Sequence, residues 1–303
     1  MFLPSYIKLY ESGKLEERIK LLNDILACCT LCPRNCKVNR LKGEKGYCKS
    51  DSNVTLSSYF AHFGEEKELV GKNGSGTIFF TNCNLGCVYC QNYEISQLGY
   101  GKAVSIEELA NIMLYLQKSG CHNINLVTPT HYTPQIVHAL KYAIEDGLTL
   151  PIVYNCSGYE SLKTLSLLKG IVDIYMPDFK YGLVECGKKY SNAPDYFEVC
   201  KMAIKEMYNQ VGNLMVDRLG IAYRGLIVRH LVLPNNLESS KKVIEFIAKE
   251  ISIDCYVNIM SQYRPVFKSN KFIEIARRIT LTEFDEVINY AKSLGLHRGF
   301  YNN

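Results

Sequence analysis

The sequence predicts an α/β fold, a partial (β/α)6 TIM-type barrel, and three observations carry that expectation. Short apolar runs rich in β-branched and aromatic residues recur along the chain, and each but the last is followed by a stretch with helical apolar spacing. Such alternation implies parallel strands joined by right-handed crossovers. The units number six, too few for a closed eight-stranded barrel. The apolar runs also end in polar residues, the pattern expected where a barrel gathers its chemistry at the carboxyl ends of its strands.

The elements follow in order. Residues 14–27 place Ile19, Leu22, Ile25 and Leu26 on one helical face. Val54-Thr55-Leu56 reads as a short strand, and the glycines at 64, 71, 74 and 76 mark turns. The adjacent carboxylates Glu65 and Glu66 read as solvated loop residues, with a contact near the metal-binding loop as the functional alternative. Strand one of the barrel is Thr77–Thr81 and leads into a cysteine-rich loop. Ser105-Ile-Glu-Glu is a capping box opening a helix to about Lys118. Strand two is Ile124–Thr128, with a helix from Pro134 to about Gly147. Strand three is Ile152–Asn155, with a helix over 160–169. Strand four is Ile171–Met176, with a helix over 195–210. Strand five is Leu226–Leu233, with a helix over 238–250. Strand six is Cys255–Ile259. A last helix runs from a Thr282 cap to Leu294, with Gly295 as its stop. Three regions result: a cysteine-rich segment over 1–53, the barrel over 54–270, and a helical extension over 271–303.

Composition narrows the function. The chain has 303 residues, 47% of them hydrophobic, enough for a sizeable core, and a formal net charge of +5. That charge is spread out, so nucleic-acid binding is not indicated. Charges come too early for a signal peptide, and no stretch of about 18 apolar residues offers a membrane span; a cytoplasmic location is expected. Eight of the 13 cysteines crowd into two short zones, 28–48 and 83–90. Clustered thiols in a chain with no export signal favour metal binding over disulfides.

In the second zone, Cys83, Cys87 and Cys90 stand at C-x3-C-x2-C spacing just after a buried strand. Thiolates bind soft metals and iron–sulfur clusters. Three thiols would leave one iron of a cubane, or one position of a catalytic zinc, open to a small molecule. In the first zone, Cys29, Cys32, Cys36 and Cys48, with Cys28 spare, could hold a structural zinc or an iron–sulfur cluster, and the sequence does not choose between them. The carboxyl ends of the remaining strands carry Thr128-Pro129-Thr130-His131, Asn155, Asp178 with Lys180, and Gln262 with Tyr263. Val172, Ile174 and Met176 share a face that continues into Asp178 and Lys180. Arg229 and His230 interrupt an otherwise apolar strand. A charge there requires an anionic partner, with a ligand carboxylate, Asp178 or Glu160 as candidates.

The cysteine loop, with Tyr89 before its last cysteine, resembles the signature of the radical S-adenosylmethionine (SAM) superfamily. The stretches CTLCPRNCKVNRLKGEKGYC, GSGTIFFTNCNLGCVYCQNYEIS, NLVTPTHYTPQI, YNCSGYE, VDIYMPDFKY, RGLIVRHLVLP and MSQYRP are similar to its members related to pyruvate formate-lyase activating enzyme. The resemblance implies that Cys83, Cys87 and Cys90 hold a [4Fe-4S] cluster whose fourth iron is chelated by the amino and carboxylate groups of S-adenosylmethionine. It implies cofactor contacts at Tyr89, Thr128, Pro129, Thr130, Asn155, Asp178, Lys180 and Arg229. It further implies a flavodoxin- or ferredoxin-type electron donor. The expected substrate is a glycine of a glycyl-radical enzyme, with a peptide or small molecule as the alternative. A simple iron–sulfur or zinc electron carrier is the non-enzymatic one. Two departures from the activating enzymes stand out. Their Gly-Gly-Glu at the end of strand two is Thr128-Pro129-Thr130 here, and the acid at the end of strand three is Asn155.

Overall fold

The computed structural model describes residues 2–300. Its strands are β1 Val54–His62, β2 Ser75–Phe80, β3 Lys102–Val104, β4 Ile124–Val127, β5 Ile152–Cys156, β6 Ile174–Pro177, β7 Met215–Val216, β8 Ala222–Leu231 and β9 Tyr256–Met260. Its α-helices are α1 Ser5–Glu11, α2 Lys14–Asp24, α3 Lys67–Val70, α4 Tyr93–Ser96, α5 Ile106–Lys118, α6 Thr133–Glu145, α7 Leu162–Leu168, α8 Val184–Ser191, α9 Tyr196–Val211, α10 Leu237–Phe246 and α11 Leu281–Ser293.

The six expected barrel strands pair in parallel, in the order β2-β4-β5-β6-β8-β9. β1 is antiparallel to β2 and carries β3 on its other side. β9 forms its ladder with β8 and none with β1 or β3, so the sheet stays open. This is the partial barrel that the alternation predicts. Among the described residues no helix is long and apolar enough to cross a membrane.

Two apolar layers hold the sheet. The outer one lies under the helices, and α1 and α2 join it against α6 and α7. The inner one is a small cluster inside the barrel, formed by Val153, Ile174, Met176, Ala222, Ile227 and Tyr256 with Leu69 and Leu214. Ile174 and Met176 therefore face inward by strand alternation, while Val172 precedes β6 and packs in the outer layer. Leu69 reaches the lumen because the loop between β1 and β2 folds inward beneath the sheet. His62 pairs with Ser75 at the amino end of β2, and the intervening chain tucks under as α3, held by Asn123 Nδ2 donating to Leu69 O at 2.9 Å. This plug corrects the reading of Glu65 and Glu66 as solvated. Glu66 is 7% exposed, and Glu65 lies with it in the barrel interior.

Other corrections are local. α11 starts with Thr280, not Thr282, as its cap. Thr280 and Glu283 form a complete capping box, which a threonine at 282 cannot form with the acid one residue on. α8 is an unexpected helix within a charged stretch. The helix expected over 238–250 ends as α-helix at Phe246 and continues as a π-turn to Ile251.

Leu69→Ala removes a fully buried side chain from the inner cluster and is expected to cost about 2–5 kcal/mol of stability. Ile273→Ala, at a 90% exposed position, is expected to stay within about 0.5 kcal/mol. Urea titration of the two variants checks this.

Candidate active site

β2 delivers the chain to a loop in which each cysteine sulfur meets one hydrogen-bonding neighbour. The Leu85 N–H donates to Cys83 Sγ at 3.3 Å, the Ser191 hydroxyl to Cys87 Sγ at 3.1 Å, and Cys90 Sγ lies 3.1 Å from Ser96 Oγ. Ser191 is itself 2.7 Å from the Tyr181 hydroxyl. The three thiols share one neighbourhood. Burial pushes the Cys83 thiol up to about 12, and the charges of Cys87 and Cys90 push the same way. Burial also raises the Cys90 thiol, with Cys87 adding to the shift and the Lys180 ammonium opposing it.

The tip of β6 lies across from this loop. Lys180 Nζ donates to Asp178 Oδ2 at 2.6 Å, and Arg229 Nε of β8 donates to Asp178 Oδ1 at 2.8 Å. Arg229 also reaches Glu65 Oε2 at 3.1 Å and Asn155 Oδ1 at 2.7 Å. Arg229 thus finds two anionic partners, Asp178 and Glu65, and Glu160 is not one of them. Burial would raise the Asp178 carboxyl, but Arg229 and Lys180 outweigh it and hold the group below its usual range. Burial raises Glu65 despite Arg229. The backbone at this tip is fixed by Tyr196, whose hydroxyl accepts from the Lys180 N–H at 2.9 Å and donates to Asp178 O at 2.7 Å. Gly158 is required here. It has φ +74°, and a Cβ would lie 2.6 Å from Asp178 O.

The remaining expected cofactor residues divide. Thr128, at the end of β4, adopts φ +60°, a strained conformation for a β-branched residue. Pro129 starts the following turn, and Thr130 points away from the lumen, donating to Glu160 Oε1 at 2.6 Å. Tyr89 is buried in an aromatic cage of Tyr181, Tyr190 and Tyr263. His230 faces outward, between Phe179 O at 2.7 Å and Ser240 Oγ at 2.9 Å, and is structural.

Two further residues complete the site wall. Arg34, between Cys32 and Cys36, donates to the carbonyls of Asn84, Leu85, Ser191 and Asn192. Tyr47 stacks on its guanidinium at 3.7 Å and donates to Leu85 O at 3.2 Å. The amino-terminal cysteine segment is thereby docked on the loop that carries Cys83 and Cys87. A lone arginine between two cysteines gives no local signal of partners this distant in sequence.

A cavity of about 740 Å³ opens between the plug and β8–β9, reaching Glu65, Glu66, Arg229, Asn258, Met260 and Gln262. Asn258 Nδ2 donates to Glu66 Oε1 at 2.8 Å, and Glu66 Oε2 is buried without a partner.

The residues fit an iron–sulfur cubane. Three thiols on one loop, each beside a hydrogen-bonding neighbour, are a donor set that a cubane takes. The donors aimed at the sulfurs are those that tune a cluster's potential.

Glu160 is 1% exposed, and burial pushes its carboxyl up to about 8. A carboxyl raised in the folded state stabilises the fold fully below its unfolded pKa, and this contribution is lost as pH rises through the folded value. Between pH 4.5 and about 8 the wild type is therefore expected to lose unfolding free energy relative to Glu160→Gln, and urea titrations of both proteins across that range check the difference.

Comparison with known proteins converges on this stretch. A sequence model of the radical SAM superfamily matches residues 77–222, from β2 into β8. The chain is 33% identical over 292 residues to the uncharacterized protein MJ0674 of Methanocaldococcus jannaschii, covering 93% of this chain and 79% of that one. It is 24% identical over 290 residues to the uncharacterized protein MJ0808 of the same organism, covering 86% and 80%. A solved structure described as native anSMEcpe with bound AdoMet aligns at TM-score 0.46 and 10% identity, over 70% of this chain and 57% of that chain. The match covers the three-cysteine loop after β2 and the parallel strands up to the start of β8, and this stretch is a radical SAM superfamily domain.

Proposed function

We propose that the protein reductively cleaves S-adenosylmethionine at a [4Fe-4S] cluster held by Cys83, Cys87 and Cys90, and abstracts a hydrogen atom from a glycine of a partner polypeptide. When bound, the cluster supplies the electron that splits the sulfonium and yields a 5′-deoxyadenosyl radical. The chain's own residues bind and orient. Lys180 Nζ has three N–H donors, and Asp178 takes one; the others are available to the methionine carboxylate. The Asp178 carboxylate, held ionised by two cations, suits the ribose hydroxyls. Arg229 has its guanidinium engaged by Asp178, Glu65 and Asn155, so it positions Asp178 more than it binds ligand. Asn155 keeps a carbonyl lone pair for the cofactor's amine. The strained Thr128 turn replaces a flexible glycine pair, and its backbone carbonyls serve in place of the missing glutamate.

The observation carrying the polypeptide substrate is the gap in the sheet. A cavity running between the plug and β9 can admit an extended loop, whereas a closed barrel could not. A flavodoxin- or ferredoxin-type protein is the proposed reductant. A small cationic metabolite or peptide side chain is the second reading, favoured by the unpartnered Glu66 Oε2 in the cavity wall.

Anaerobic incubation with S-adenosylmethionine and dithionite is expected to release 5′-deoxyadenosine. Cys87→Ala is expected to abolish that release and to lose the iron of one cluster. Cleavage that survives in the variant would falsify the ligand assignment. Supplying a proteome labelled with α-deuterated glycine is expected to carry deuterium into the 5′-deoxyadenosine. Turnover without deuterium transfer from any polypeptide would favour the small-molecule reading.

A further inference from the structure

Outside the site above, the amino-terminal segment contains a second concentration of chemistry. Cys29, Cys32, Cys36 and Cys48 line one small cavity together with Arg40 and His131. Cys29 is buried and the other three are half-buried.

Two members of the cavity wall are incompletely matched, one nitrogen of His131 and the charge of Arg40. His131 is 2% exposed, and its Nε2 lies 2.8 Å from Thr81 O. A carbonyl only accepts, so Nε2 carries the ring hydrogen and Nδ1 presents a bare lone pair. That Nδ1 is buried and has no hydrogen-bond partner. An N–H donating to a backbone carbonyl is the usual support of a metal-ligating histidine.

The second is Arg40, which is 1% exposed. Its guanidinium donates to Asp51 O at 3.0 and 2.5 Å and to His131 O at 2.7 Å. No carboxylate among the described residues forms an ion pair with it; the Asp51 carboxylate pairs with Lys45. A buried cation bonded to neutral carbonyls calls for an anion nearby. Neutral thiols supply none, while metal-bound thiolates do.

One occupant answers both needs. A metal centre accepts the Nδ1 lone pair, and its thiolates supply negative charge beside Arg40. A cysteine and histidine set of this kind can hold zinc or an iron–sulfur cluster, and its attachment to the catalytic loop through Arg34 and Tyr47 favours the centre that carries electrons. We infer that this cavity is a second iron–sulfur site, ligated by thiolates drawn from Cys29, Cys32, Cys36 and Cys48 and by Nδ1 of His131. Its wall is fastened to the catalytic loop through Arg34 and Tyr47, which places it to exchange electrons with the first.

The test uses the full chain carrying Cys83→Ala, Cys87→Ala and Cys90→Ala together, reconstituted anaerobically with iron and sulfide. This variant is expected to keep iron, acid-labile sulfide and a thiolate-to-iron absorption band, and to hold no zinc. In that background His131→Cys is expected to keep the iron while lowering the midpoint potential, because an anionic thiolate replaces a neutral imidazole. His131→Ala is expected to lose iron or change the electron paramagnetic resonance signal of the reduced cluster. Loss of all iron from the triple variant, zinc in its place, or a signal and potential unmoved by both His131 substitutions would overturn the inference. Should the triple variant misfold by circular dichroism, Cys32→Ser and Cys48→Ser in the otherwise native chain serve instead. Each is expected to remove about half the iron, and unchanged iron content would overturn the site. Equal iron in wild type and triple variant would refute the catalytic cluster while supporting this one.

Discussion

Arg229 is a full positive charge in the interior of a parallel strand, and the carboxyl end of the sheet is arranged around it. A buried guanidinium left alone is prohibitively costly. Here it is met from three directions: Asp178 from β6, Asn155 from β5, and Glu65 from the plug. The same contacts explain why Asp178 stays ionised in the barrel interior and why the chain between β1 and β2 turns inward instead of looping out into solvent. The charged floor and the plug are thus one device. The seating of the plug and the charge of Asp178 depend on the same side chain.

A second device works from the opposite direction. The segment over 29–48 is too short and polar to order itself on a core of its own. It gains definition from Arg40 beneath and from Arg34 and Tyr47 reaching across to the signature loop. The region therefore acts as part of the active-site wall, not as an independent appendage.

How much of this could be read from residues alone follows from the range of each interaction. The parallel strands and their helices were legible because hydrophobic period and capping are local signals; Ser105 and Glu108 form their box as read. The polar strand ends were legible for the same reason, and the need for an anion beside Arg229 followed from a charge placed in an apolar run. What escaped was non-local. Glu65 and Glu66 look solvated until partners at 229 and 258 are known. The inward turn of Leu69 has no periodic signature, because a four-residue helix is too short to show one. His131 reads as an ordinary core histidine until its second nitrogen is found unpartnered in the wall of a cavity that four cysteines also line.

The reach of Arg34 also sets a timetable for the nascent chain. Its acceptor at Asn192 lies 158 residues downstream. At roughly 5–20 residues per second, that acceptor is translated about 8–32 s after the arginine. Before then the cysteine segment can meet Asn84 and Leu85, 50 and 51 residues after the arginine, but not Ser191 or Asn192. Its full docking must wait for that stretch, so the order of synthesis makes the earliest thiols the last to be sheltered.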